Sequence, residues 1–142
     1  MTMFPSIGVA GSGLVVDSTW LDALSSNISN AQDGVTPGNP VFRPEEVLVE
    51  PQQQAGVTAP GTPAPLGVQV QSLQYSGNPA GILKYDPSDP IAGPDGMVAF
   101  PDVPVGHELV SLVEAQTNFQ ANASVMQDST NAYKAILDIK AG

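Results

Sequence analysis

Residues 105–140 read VGHELVSLVEAQTNFQANASVMQDSTNAYKAILDIK, and this stretch decides the architecture. It holds no proline, and its one glycine, Gly106, stands near its start. Leu109, Leu112, Gln116, Phe119, Ala123, Met126, Thr130, Tyr133 and Leu137 follow one another at steps of three and four. Side chains at those steps share one face of an α-helix. Glu114, Asn118, Asn122, Gln127 and Asp128 take the other face, and Lys134 and Lys140 stand near the end, where cations suit the helix dipole. The spacing predicts a helix over Val105–Lys140. At a rise of ~1.5 Å per residue it runs ~54 Å, which is long for a chain of 142 residues.

Upstream, proline changes the reading. Every proline except Pro5 lies between Pro37 and Pro104, and one inside a helix costs ~3 kcal/mol. Long helices are therefore confined to the two ends. Over Ser6–Asn30 a second stripe recurs: Ile7, Leu14, Leu21 and Ile28 fall seven apart, with Ala10, Leu24 and Ala31 between them and Asp17 interrupting that second row. Pro5 sits where a first-turn proline is tolerated. Gly8, Gly11 and Gly13 each weaken the helix by roughly 1 kcal/mol against alanine, so this helix needs a partner.

Between the ends the chain reads as short strands and turns. Gly67–Gln71 alternates apolar and polar residues, and Val47–Val49, Ile82–Tyr85 and Met97–Phe100 are further strand candidates. Gly93-Pro94-Asp95-Gly96 is a turn. The Pro/Ala/Gly/Gln tract over 51–65 has no period and reads as a flexible loop. The expected fold is α+β: terminal helices over 1–31 and 105–142 pair as a coiled-coil-like hairpin, and a small proline-rich β insert spans 32–104.

Composition excludes several function classes. Asp and Glu number 14 against 4 Lys and Arg, for a net charge of -10. The cations Arg43, Lys84, Lys134 and Lys140 are scattered, so no basic patch exists to neutralise phosphates, and an anionic membrane is repelled. No nucleic-acid partner and no direct membrane insertion are expected. Absence of cysteine removes disulfides, thiolate metal sites and thiol nucleophiles. The first basic residue is Arg43, so the N-terminal stretch lacks the positive region of a cleaved signal peptide.

Catalytic constellations are missing as well. His107, the one histidine, has no Gly-x-Ser-x-Gly element to work with and reads as an exposed first-turn residue. Asp86, Asp89 and Asp95 lie near Gly96, but the twelfth position counted from Asp86 is Met97 where a calcium loop needs glutamate. These aspartates read as turn residues. Gly8, Gly11 and Gly13 give the wrong order for a phosphate cradle and read as sites of close helix–helix approach. Glu45 and Glu46 read as a solvated strand edge. The expectation is a chain that is not an enzyme and binds no cofactor.

The apolar residues exceed what one hairpin can cover. Pairing the helices buries one stripe of each and leaves Val15, Trp20, Val113 and Ile136 off that seam. Apolar surface left in this way marks a partner site, and a head-to-tail contact that does not close builds a helical filament. The residues expected at the assembly interface are Ile7, Leu14, Leu21, Leu24 and Ile28 with Leu109, Leu112, Phe119, Met126, Tyr133 and Leu137. The alternative is a self-contained binding module, with the helices folded onto the β insert and a pocket between them.

Particular residues also resemble a known family. Ala10-Gly11-Ser12-Gly13-Leu14, Leu24-Ser25-Ser26-Asn27-Ile28-Ser29-Asn30-Ala31 and Val41-Phe42-Arg43 match near the start. Tyr85-Asp86-Pro87, Asp95-Gly96-Met97-Val98, Pro101-Asp102-Val103, Glu108-Leu109-Val110 and Asn118-Phe119-Gln120-Ala121-Asn122 match further on. These segments resemble the rod proteins of the bacterial flagellar basal body, most closely the short C-type proximal-rod proteins. Gln32-Asp33-Gly34, Phe42 and Met97 depart from the commoner family residues. The resemblance implies export through the flagellar type III apparatus without a cleaved signal. It also implies assembly with other rod subunits and with copies of itself into a hollow shaft, terminal helices inside and the β insert outside. Asn27, Asn30, Gln120 and Asn122 would satisfy polar groups where the helices meet the insert.

Overall fold

The computed structural model describes residues 4–52 and 67–141. Helix α1 (Phe4–Asn30) and helix α2 (Val105–Ala141) flank four strands: β1 (Glu45–Pro51), β2 (Val68–Tyr75), β3 (Ile82–Tyr85) and β4 (Met97–Phe100). The helices cover the proline-poor ends, as the sequence predicts, and pack on each other. The class is α+β.

The strands form two separate antiparallel pairs, β1 with β2 and β3 with β4. β3, β4 and the Gly93–Gly96 turn fall where the sequence places them, and the Gly96 N–H closes that turn on the Gly93 carbonyl at 2.9 Å. β2 runs beyond the alternating stretch to Tyr75 because Glu45–Leu48 continues the ladder, with a register shift between Leu48 and Val49. The first residue of the expected loop over 51–65 belongs to a strand. Pro51 closes β1, and the Gln52 N–H donates to the Gly67 carbonyl at 2.9 Å; residues 53–66 lie outside the described ones.

α1 is the centre of the packing. It touches α2 on one side and β1 and β2 on another. Its buried row is Ala10, Gly13, Val16, Asp17, Ala23, Leu24 and Asn27. Small residues at three of those positions let the neighbouring backbones come close. Gly67 repeats this with a φ of 126°, a backbone angle open to glycine, and has no room for a Cβ beside Ser12. Val41 and, within β4, Val98 and Ala99 are also buried, and Val35 bridges to Ala99.

Candidate assembly interface

Four cross-helix approaches fix the hairpin as antiparallel. Asn27 Nδ2 donates to Glu108 Oε2 at 3.0 Å, and Asn122 Nδ2 donates to Asp17 Oδ2 at 2.8 Å. A Cβ on Gly11 would meet Met126 Cε at 3.3 Å, and the Ser6 and Ser129 hydroxyls are 3.4 Å apart. The Asn27–Glu108 end, beside the insert, is the base of the hairpin. The other end, where α2 runs on past the level of Phe4, is its tip.

At the base, Asn27 joins three elements. Its Nδ2 donates to the Glu45 carbonyl at 3.0 Å as well as to Glu108, and its Oδ1 accepts the Glu45 N–H at 2.8 Å. The side chain is 2% exposed, so these bonds replace water completely. The start of β1 is thereby tied to both helices. Arg43 ties the other side, donating to the Tyr75 carbonyl at 2.8 Å and the Ser76 carbonyl at 3.3 Å.

The hairpin seam differs from the expected one. α2 turns Glu108, Ser111 and Ala115 inward, and Ala115 is 0% exposed. Of the predicted interface residues, Leu24 is buried in the subunit, and Ile7, Leu14, Leu21, Ile28, Leu112 and Met126 are half-buried along its margins. Leu109, Phe119, Tyr133 and Leu137 face outward. The large stripe of α2 is thus left mostly outside the hairpin, because residues that are small or polar permit the close contact with α1. Val15, Val113 and Ile136 are exposed as expected, but Trp20 is half-buried. Val110, Val125 and Ile139 add to the outward apolar surface.

This asymmetry has a physical origin. α1 is covered on two sides, whereas α2 packs on α1 alone. A helix with one neighbour buries one stripe, and α2 carries apolar residues on more than one. Exposed apolar residues run the whole length of α2, from Val110 at 69% near the base to Ile139 at 82% near the tip.

Other predicted features fall into place without forming a reaction centre. Asp86 Oδ1 accepts the Ser88 N–H at 3.2 Å and the Ser88 hydroxyl at 2.6 Å, and Asp89 Oδ1 accepts the Ile91 N–H at 3.0 Å, so both close turns. His107 is exposed on the first turn of α2, its Nδ1 3.5 Å from the Ser111 hydroxyl. Gly11 and Gly13 lie against Met126 and Asn122 as close-approach positions, whereas Gly8 faces open space. Asn122 joins helix to helix instead of helix to insert, Asn30 bonds back to the Ser26 carbonyl, and Gln120 is exposed. Among the described residues no cluster of three potential metal ligands occurs, and no helix is long and apolar enough to cross a membrane.

No family model matches the chain. Full-length comparison does give relatives. The flagellar basal-body rod protein FlgC of Borreliella burgdorferi is 30% identical over 157 aligned positions, covering all of both chains. FlgC of Salmonella typhimurium is 32% identical over 89% of each chain. FlgC of Agrobacterium fabrum is 33% identical over 92% of this chain and 90% of its own.

The chain belongs to the FlgC family of flagellar basal-body rod proteins. It is therefore a structural, non-enzymatic subunit of the flagellar basal body. FlgC membership implies assembly with other rod subunits. Asp17 and Glu108, the buried carboxylates of the FlgC hairpin, escaped sequence reasoning. Their only sequence signal is a charged residue interrupting an apolar row, as Asp17 does.

Proposed function

We propose that this FlgC-family chain is a proximal-rod subunit that builds a hollow, torque-transmitting shaft by axial packing of its terminal helices. Residues 1–31 and 105–142 act as the assembly segments, and 32–104 forms the outer face. Neighbouring rod subunits and further copies of the chain cover the outward stripe: Leu109, Phe119, Tyr133 and Leu137, flanked by the half-buried Ile7, Leu14, Leu21, Ile28, Leu112 and Met126, while Leu24 supports them from inside the subunit. The export apparatus delivers the chain before assembly, with the helix ends incompletely ordered.

One observation carries this reading: α2 packs its small and polar face inward and holds its large apolar residues outward. Burying apolar surface contributes roughly 25 cal/mol per Å², and a repeated contact of this kind favours a stiff polymer. Phe119→Asp puts a charge into the proposed contact. It is expected to leave secretion intact and to remove the chain from purified basal bodies. Normal rods containing the variant would overturn the reading.

A further inference from the structure

The seam of the hairpin holds a carboxylate that the described residues do not neutralise. Asp17 is 6% exposed, and its Oδ2 accepts from Asn122 Nδ2 at 2.8 Å. That neutral amide is its one polar partner among the described residues. Fully enclosed side-chain nitrogen and oxygen atoms there all have partners, so Asp17 Oδ1 stays within reach of the surface. Asp17 lines a cleft of about 230 Å³, together with Val16 of α1, Val68 of β2 and Asn118, Ala121 and Asn122 of α2. No lysine, arginine or histidine lines it.

We propose that this cleft receives the guanidinium group of an arginine from a neighbouring rod subunit of a different kind. The proposal rests on the rod reading and names the chemistry of one of its contacts. Charge identifies the occupant. A carboxylate buried against a single neutral amide destabilises the free subunit, and a cation arriving on assembly offsets that cost. Size excludes most other ligands, since small-molecule sites run to about 300–1,000 Å³, whereas this cleft has room for the end of one side chain. One carboxylate and two amides are also too few hard ligands for a divalent cation. Guanidinium fits better than ammonium. Its planar fork of donors can bond Asp17 together with the Asn118 and Asn122 side-chain carbonyls. Its weaker hydration suits walls that include Val16, Val68 and Ala121. A second copy does not supply it. Arg43 is the chain's only arginine, and its guanidinium is already held by the Tyr75 and Ser76 carbonyls. At a net charge of -10 two copies also repel.

Asp17→Asn in the full-length chain is the test. It removes the charge and leaves an oxygen to accept from Asn122. The denaturant midpoint of the isolated variant is expected to stay level or rise, while the amount found in purified basal bodies falls at least about tenfold. A lower midpoint would make Asp17 a structural clip and overturn the proposal. A level midpoint with normal incorporation would overturn it too, and would leave the rod reading standing. If wild-type chain itself fails to enter rods, the rod reading falls. A second measurement leaves Asp17 untouched: a photo-reactive benzoylphenylalanine replaces the exposed Ala121 at the rim of the cleft. Illumination of purified rods is expected to join it to an arginine-bearing peptide of a different rod protein. An adduct with a peptide that lacks arginine, an adduct with a second copy of this chain, or no adduct in rods that contain the labelled chain would each overturn the proposal.

Discussion

The base and the tip of the same hairpin are built on different principles. At the base, Asn27, Glu108 and the Glu45 backbone form a closed hydrogen-bond group, and Ala115 is fully covered. Every buried polar side-chain atom among the described residues has a partner. At the tip, α2 ends in Ile136, Leu137 and Ile139, all exposed. The base holds a closed polar interior beside the outward-facing Val110 and Val113, whereas the last turns of α2 show apolar side chains and no such closed group. On the proposed reading, a subunit made this way keeps its shape alone and gains free energy from each neighbour.

Substitutions at the two ends should therefore separate in their effects. Asn27→Leu should be the most damaging to the isolated chain. It strands the Glu45 N–H and removes the donor facing Glu108, for a loss of about 2–4 kcal/mol, read by denaturant unfolding of the monomer. Ala115→Leu forces extra volume into the closed part of the seam and should cost about 1–3 kcal/mol by the same measurement. Ile139→Ser should change monomer stability by less than about 0.5 kcal/mol, yet lower the amount of chain found in rods. An Ile139→Ser variant as unstable as Ala115→Leu would erase the distinction between the ends.

Much of the fold was legible in the sequence, and the reason is proline. Its confinement to the middle sets the limits of both helices, and alternation or turn chemistry marks β3, β4 and the Gly93–Gly96 turn. The seam was less legible. Apolar spacing shows that a helix has a covered face but not which neighbour covers it. The row of Leu109, Phe119, Tyr133 and Leu137 reads as the inner stripe, whereas Ala10, Gly13, Ala23 and Ala115 make the contact. Small residues carry little apolar signal, and their value lies in how near they let two backbones approach. The polar clips were hidden for another reason: Asn27 meets Glu108 across 81 positions and Asn122 meets Asp17 across 105. Neither partner identifies the other until the hairpin has closed. The strand extension to Tyr75 likewise depends on its partner β1, not on its own pattern.

Amide hydrogen exchange on the dilute full-length chain, compared with the same chain in purified rods, tests the contrast most directly. The account predicts slow exchange in the free chain around residues 23–27 and 108–115, fast exchange over 130–139, and protection of the latter only in rods. Equal protection along the whole of α2 in the free chain, unchanged on assembly, would contradict it.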